Sequence, residues 1–262
     1  MKTWHTILGA TALSVLGALA IVRGPQWFGP ASGDPHGDHQ GHPQGKPQGQ
    51  ATQPAGTPPP WQVTPGPDGS SEALGLTLGT STLADVRQRF GIDTQIAIIA
   101  APGEDGALEA FVDRAQAGFI AGKLVVTAAL PASSPATVRS LRERALKSEF
   151  MESTTRKYTL RPEDEALALQ ARIVALSFIP QASLDADIIL ARFGTPAARV
   201  RSNGRQEHFL YPDKGLDVIL DTEGKELLQY VAPRDFERLR APLQAASAAS
   251  ATSAASAPQA AR

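Results

Sequence analysis

The chain has 262 residues, with 25 basic and 26 acidic side chains and a formal net charge of −1 at pH 7. This near-neutral balance gives no global attraction to nucleic acid, so no nucleic-acid partner is predicted. Cysteine is absent, which excludes disulfides, thiol catalysis, Cys-ligated metal centres and a lipid anchor on an N-terminal cysteine.

The N-terminal segment has the length and composition of a membrane-spanning helix. Residues 3–22 lie between Lys2 and Arg23 and contain no Asp, Glu, Lys or Arg. As a helix they would be about 30 Å long, which matches the hydrocarbon core of a bilayer. Trp4 and Trp27 flank the segment, as expected of side chains that anchor a helix at the membrane interface.

We therefore expect residues 1–23 to form a signal-anchor that crosses the inner membrane once. The charge balance across the segment favours a cytoplasmic N-terminus and a periplasmic C-terminal domain. The motif Ala18-Leu19-Ala20 also fits a small-x-small cleavage site, so a cleaved signal peptide is one alternative, and a buried core helix is another.

Two further stretches have compositions that do not build a core. Residues 24–69 hold 11 of the 21 prolines and 10 of the 23 glycines without apolar periodicity, which predicts a disordered linker. Residues 241–262 are almost wholly Ala, Ser, Pro and Gln, which predicts a frayed, disordered tail. The globular domain is expected in the remaining residues, 70–240.

The predicted linker contains a run of histidines. His36, His39 and His42 alternate with Asp34 and Asp38, and imidazole with carboxylate is a plausible ligand set for Zn or Ni. The simpler interpretation is a Gly, Pro, His and Gln-rich linker that contains these residues without binding a metal. We predict no metal-binding residue and no cofactor.

The first unit of the domain, at about 76–160, begins with a predicted helix and continues with strands. Leu83, Val86 and Phe90 form one helical stripe in 82–90, with Ser81 or Thr82 as N-cap and Gly91 as the terminating glycine. Apolar runs then predict a three-stranded meander, at 95–100, 108–114 and 123–130.

The same unit carries the longest predicted helix. Ser134-Pro135 opens it, and it extends to Met151 with Val138, Leu141, Ala145 and Phe150 directed inward. Its outer Arg and Lys residues fit a solvated helix face, and less simply a patch for anionic ligands. A strand at 156–160, a short acidic helix at 162–167 and a strand at 170–178 follow.

The second unit, at about 161–240, repeats the pattern of the first. A predicted helix at 183–193 ends in Arg192-Phe193-Gly194, which matches Arg89-Phe90-Gly91 at a spacing of 103 residues. Four strands separated by glycine-containing turns follow, at 198–201, 207–211, 216–221 and 227–231, and a final helix is predicted at 233–239. The predicted fold class is α+β: two helix plus antiparallel-meander repeats forming one domain, preceded by a single transmembrane helix and a disordered linker.

The motifs LGTSTLADVRQRFG (78–91) and ASLDADIILARFGTP (182–196), each followed by strands, carry a resemblance. The helix, its Arg-Phe-Gly terminator and the YPDKGLDVILD strand pair resemble the repeat of the small outer-membrane lipoproteins of the SmpA/OmlA (BamE) family. Two such repeats in tandem are similar to the β-lactamase inhibitor protein fold. The resemblance implies an envelope binding or assembly domain with a concave sheet surface. This chain differs in lacking a lipid-attachment Cys, in its longer repeat and in the extra helix at 135–151.

A search for catalytic residues finds few candidates. The predicted domain has a single histidine, His208. It lies in the alternating strand EHFLY, which favours a histidine that is part of the sheet over a catalytic one. No nucleophile, phosphate-loop or metalloprotease motif is present. No catalytic residue is predicted. Side chains of the second unit are predicted to form a partner-binding site. These residues are Arg199, Arg201, Arg205, His208, Tyr211 and Lys214.

These observations predict a membrane-anchored periplasmic protein-binding or assembly domain of the bacterial cell envelope, without catalytic activity. The partner is expected to be an envelope protein. The alternative from another class is a cell-envelope hydrolase or transferase with an unrecognised carboxylate site near His208. A third interpretation is an anchored spacer whose domain has no tight ligand.

Overall fold

The computed structural model describes residues 56–151, 154–202 and 204–245. The predicted signal-anchor, the histidine run of the linker and the tail from residue 246 lie outside these residues. Within the described part of the chain, no helix is long and apolar enough to cross a membrane.

The described residues form short helices and thirteen strands. The helices are α1 (Leu83–Phe90), α2 (Val138–Glu143), α3 (Pro162–Leu169) and α4 (Ala186–Phe193); residues 237–245 are also helical. The strands are β1 (Val63–Pro65), β2 (Ser71–Ala73), β3 (Leu76–Thr77), β4 (Gln95–Ala100), β5 (Ala107–Ala117), β6 (Ile120–Ala129), β7 (Lys147–Phe150), β8 (Arg156–Thr159), β9 (Arg172–Pro180), β10 (Ala198–Ser202), β11 (Gln206–Tyr211), β12 (Leu216–Asp221) and β13 (Leu227–Val231).

Ten of the strands form one antiparallel sheet in the order β10-β11-β12-β13-β9-β6-β5-β4-β8-β7, and β1, β2 and β3 form a small second sheet. Strand β9 joins the two meanders, because it pairs with β6 on one side and β13 on the other. Its sequence RIVALSFIP is almost continuously apolar, as expected of a strand buried on both faces.

The main hydrophobic core lies on one face of the large sheet, here called the helix face. Leu83 and Val86 of α1 and Ile189 and Phe193 of α4 belong to the same buried cluster as sheet residues such as Leu176. Both helices therefore pack on one continuous sheet. The two predicted repeats share a core rather than forming separate ones.

The opposite face of the sheet carries a smaller apolar cluster and several buried polar side chains. Leu210 and Val231 contact Phe236, and Leu239 and Leu243 of the C-terminal helical segment pack against this cluster. In β12, Leu216 and Val218 belong to the main core, so the alternation of a strand directs the intervening Asp217 to the opposite face.

The predicted fold class was wrong in its proportion of helix to strand. We expected α+β repeats, but the described residues are mostly β, with one ten-stranded sheet, a three-stranded sheet and α-helices of six to nine residues. The physical reason is that β7 and β8 extend the first meander and β9 fuses it to the second. The short helices cover only part of the sheet.

The predicted helix at 135–151 accounts for much of this error. Only Val138–Glu143 is helical, opened by a capping box between Thr137 and Ser140. Leu141 is its only buried residue, whereas Phe150, predicted to face inward, is 70% exposed. The chain leaves the helix at Arg144 and forms edge strand β7, which pairs with β8.

The end of the predicted linker also differs from expectation. Residues 56–69 include strand β1, and Trp61 packs against the main core. The hydroxyl of Tyr230, on β13, donates to the carbonyl of Pro60 over 2.8 Å. The folded region therefore begins before residue 70.

Many local predictions were confirmed. Helix α1 spans Leu83–Phe90 with Thr82 as N-cap and Gly91 after its end, and α4 ends at Phe193 before Gly194. Strands β4, β12 and β13 have the predicted bounds.

Candidate functional site

The C-terminal end of α4 lies beside the surface that is the best candidate for a binding site among the described residues. Asp185 starts this helix, because its Oδ1 accepts from the backbone N–H of Ile188 over 2.7 Å. Gly194 stops it with φ 86°, a backbone conformation that favours glycine. The last helical carbonyls then need partners from elsewhere in the fold.

Two of the predicted site residues supply those partners. The Tyr211 hydroxyl donates to the carbonyl of Gly194 over 2.9 Å, and the Lys214 Nζ donates to the carbonyl of Phe193 over 2.6 Å. A positive charge at this position also complements the negative end of the helix dipole. Burial raises the pKa of the Tyr211 hydroxyl, which keeps it a neutral donor. Tyr211 and Lys214 therefore fix α4 to the sheet.

Four aromatic rings extend from this helix end to the surface; we call them the aromatic row. The centroid distances are 6.2 Å from Tyr211 to Phe193, 6.3 Å from Phe193 to Trp61 and 5.5 Å from Trp61 to Phe119. Phe193 is 3% exposed and Phe119 is 72% exposed. The row therefore connects a buried ring of the core to an exposed ring at its outer end.

Two positively charged side chains lie against rings of the aromatic row. The Arg192 guanidinium lies 5.1 Å from the Trp61 ring centroid, and the Lys214 Nζ lies 5.3 Å from that of Tyr211. Both distances are within the range of cation–π attraction. Ile188 lies one helical turn before Arg192 and is 39% exposed, so it extends the apolar surface on the same side of α4.

Phe119 sits at the tip of the hairpin between β5 and β6, and the hairpin is held in place. Gly118 has φ 60°, and its backbone N–H donates to the carbonyl of Thr57 over 2.8 Å. A Cβ at position 118 would meet Pro59 at 3.0 Å. The tip therefore rests on the residues that lead into the folded domain, so the position of the exposed ring is set by backbone contacts.

The predicted arginines form ion pairs near strand β10. Arg199 pairs with Glu207 at 3.0 Å and stacks on Phe209, and Arg205 lies 3.1 Å from Glu223. The side chain of Arg201 is 84% exposed, at 4.0 Å from Glu207. These ion pairs lie near the edge strand β10, and exposed ion pairs of this kind contribute little to the free energy of folding.

His208 lies on the opposite face, between two side chains. Its Nδ1 is 2.7 Å from Asp217 Oδ2, and its Nε2 is 2.9 Å from Ser202 Oγ. His208 and Asp217 are buried, while Ser202 is partly exposed. The order of groups is hydroxyl, imidazole and carboxylate on the adjacent strands β10, β11 and β12.

The carboxyl of Asp217 is in an unfavourable environment. Burial raises its pKa, and the hydrogen bond from His208 opposes this effect. Its second oxygen, Oδ1, is buried and has no hydrogen-bond partner among the described residues. An unsatisfied buried acceptor costs about 1–3 kcal/mol of folding free energy, so the carboxyl of Asp217 destabilises the fold at this position.

A cavity of about 360 Å³ lies in the other half of the sheet, beside α1, and His208 is not among its lining residues. Its Arg87 and Glu165 pair with each other. A pocket in which carboxylates converge on His208 would favour the alternative of an envelope enzyme, and this cavity is not such a pocket.

The predicted partner-binding residues are thus divided among three places. Sequence reasoning missed Trp61, which lay in the predicted linker, and Phe119, in a turn. It also missed Ser202 and Asp217; the alternation of β12 offered a signal, because Asp217 interrupts a strand between Leu216 and Val218.

Comparison with family models, curated proteins and solved structures finds no match for this chain. The function must therefore be argued from the geometry. Within the described residues, no three His, Asp or Glu side chains come together to hold a metal ion, and His36, His39 and His42 lie outside them.

Proposed function

We propose that the protein is a periplasmic binding domain of the bacterial cell envelope, anchored in the inner membrane through residues 3–22, that holds a protein partner at the aromatic row. The observation that carries the proposal is the outer end of this row, where Phe119 is 72% exposed beside Trp61 and Arg192. No catalysis is required for this role.

The residue types favour a protein partner. Trp and Arg are enriched among the side chains that carry most of the energy of protein interfaces, and aromatic rings are enriched across such interfaces. Phe119 is held on a hairpin fixed by Gly118, so binding would cost little conformational entropy. The partly exposed Ile188 would widen the contact.

The proposed envelope role agrees with what the resemblance to the SmpA/OmlA (BamE) family implies. In both cases a domain tethered at a membrane presents a surface for assembly. Here the surface is proposed at the end of α4 and the β5–β6 hairpin, rather than on the sheet face that the resemblance implies.

Photo-crosslinking in intact envelopes tests the proposal. A photoreactive phenylalanine analogue replaces Phe119 in one variant and Phe150 in the matched control, because both rings are exposed and Phe150 also lies against an arginine, Arg156. We expect position 119 to give a discrete protein adduct and position 150 to give none.

A second change links the adduct to the row. Arg192→Glu in the position-119 variant removes the cation beside Trp61 and should reduce the adduct several-fold. Equal crosslinking at positions 119 and 150, or an adduct indifferent to Arg192→Glu, would contradict the proposal.

One observation favours the alternative of an envelope hydrolase or transferase. It is the set of hydrogen bonds that joins Ser202, His208 and Asp217.

A further inference from the structure

Three neighbouring strands bring Ser202, His208 and Asp217 together in the order that activates a serine. The Ser202 Oγ is 2.9 Å from His208 Nε2, and the His208 Nδ1 is 2.7 Å from Asp217 Oδ2. Both distances lie within hydrogen-bond range. The two ring nitrogens are therefore engaged by different partners, as in nucleophile–base–carboxylate sets on unrelated folds.

The sheet holds this arrangement. Val200 pairs with His208 between β10 and β11, and Leu210 pairs with Asp217 between β11 and β12. The alternation of the strands places Ser202, His208 and Asp217 on the opposite face, where regular backbone hydrogen bonding fixes their positions. A site on rigid strands is better preorganised than one on loops.

The hydrogen bond to Asp217 orients the imidazole of His208 toward Ser202. When ionised, Asp217 accepts a hydrogen bond from the Nδ1–H of His208, which leaves Nε2 free to accept from the serine hydroxyl. Within the part of the chain that the structure describes, its other oxygen, Oδ1, has no hydrogen-bond partner, so the carboxylate is poorly solvated. An imidazolium that forms beside this carboxylate as Ser202 attacks would be stabilised by the opposite charge.

We propose that Ser202 is an activated nucleophile that accepts acyl or phosphonyl groups from electrophilic esters. Ser202 is partly exposed, while His208 and Asp217 are buried, so the reacting oxygen is the accessible member of the set. This activity is separate from protein binding at the aromatic row. It concerns modification of Ser202, the first half of an acyl transfer.

An ester would acylate Ser202 with the loss of its alcohol. Ser202 Oγ forms a bond to the carbonyl carbon as its proton passes to His208 Nε2. The bond from that carbon to the alkoxy oxygen then breaks, and the leaving alkoxide takes the proton from Nε2. The products are an acylated Ser202 and a free alcohol, with His208 neutral again. A fluorophosphonate reacts in the same way and releases fluoride with a proton.

The experiment incubates the full-length protein with an alkyl fluorophosphonate probe in a mildly alkaline buffer. Intact mass and peptide mapping then locate the adduct. We expect a single adduct on Ser202, lost in Ser202→Ala. Ser183→Ala is the matched control, because Ser183 is more exposed than Ser202 but takes no part in the set, and it should leave labelling unchanged.

The other two residues have separate readouts. His208→Gln removes the base and should slow labelling about 100-fold. Asp217→Asn should slow it by moving the imidazole proton from Nδ1 to Nε2, and ¹⁵N NMR of His208 reports that tautomer directly. A merely structural role for Asp217 would leave the tautomer unchanged.

Several results would overturn the proposal. These are the lack of an adduct on Ser202 in the unaltered protein, equal labelling of Ser183, or full labelling of a folded His208→Gln protein. The first result needs no variant, so the test holds even if His208→Gln does not fold. None of them bears on crosslinking at position 119, so the two proposals fail separately.

Discussion

Helices α1 and α4 begin the two meanders in the same way but end in different surroundings. Val86 and Ile189 occupy equivalent positions 103 residues apart, and both are fully buried. The next equivalent pair diverges, because Phe193 is buried within the aromatic row whereas Phe90 is only partly buried.

The contacts at the two helix ends differ in range. After α1, the Thr94 hydroxyl donates to the carbonyl of Gly91, only three residues away. After α4, Tyr211 and Lys214 reach the last carbonyls from the sheet, 17 and 21 residues away. A shared local signal therefore ends both helices, while contacts distant in sequence make only the second end part of a rigid surface.

The largest expected effect separates the two phenylalanines. Phe193→Ala should lower the free energy of unfolding by about 3–5 kcal/mol, because it empties a buried site in the core and breaks the aromatic row. Phe90→Ala should cost clearly less, since that ring is only partly buried. Urea denaturation followed by circular dichroism measures both. Equal losses of unfolding free energy in the two variants would contradict the difference inferred between the helix ends.

A smaller loss of stability is expected when a side chain that donates to a carbonyl at either helix end is removed. Lys214→Met removes a charged donor from the carbonyl of Phe193 and should cost about 1 kcal/mol. Thr94→Val removes only the local hydroxyl and should cost about 0.5 kcal/mol. Both are measured in the same denaturation experiment, and a larger loss for Thr94→Val would show that the local cap matters more.

The smallest effect is a change in pH dependence whose sign differs between Asp164 and Asp217. The hydrogen bonds from Arg144, at 2.6 and 2.9 Å, lower the pKa of Asp164, so its stabilisation is present above the unfolded value of about 3.9 and is lost as pH falls below it. Burial raises the pKa of Asp217, so its contribution is present at low pH and is lost as pH rises above about 3.9.

Unfolding free energies measured across this range test the two signs. Asp164→Asn should flatten the loss of stability below about pH 4, and Asp217→Asn should flatten the loss above it. Each change alters the slope by at most about one proton per molecule. Two variants that shift the profile in the same direction would contradict the assignment.

Sequence reasoning located elements that depend on local signals. Thr82, Asp185 and the glycines at 91 and 194 act within a few residues, so the bounds of α1 and the end of α4 followed from the sequence. The apolar pattern read over 135–151 was misleading, because the pairing of β7 with β8 competed with the helix.

The assembly of the sheet depended on contacts that periodicity does not encode. A continuous apolar run indicated that β9 is buried but not that it pairs with both β6 and β13. The same applies to the site: Trp61 stood in a Pro-rich stretch, and its neighbours Phe119 and Phe193 are far away in the sequence. Tyr211 and Lys214 were singled out, but their part in holding α4 needed the fold.

The hydrogen bond from Tyr230 to Pro60 has a consequence for the order of folding. It joins residues 170 positions apart, between the segment that enters the domain and the last strand of the sheet. During synthesis, the hydrogen bond that the Pro60 carbonyl accepts cannot form until β13 has emerged. Closure of such distant pairs is slow, and unpaired strands are prone to aggregate in the meantime. We therefore expect chains truncated before β13 to be substrates for chaperones and proteases.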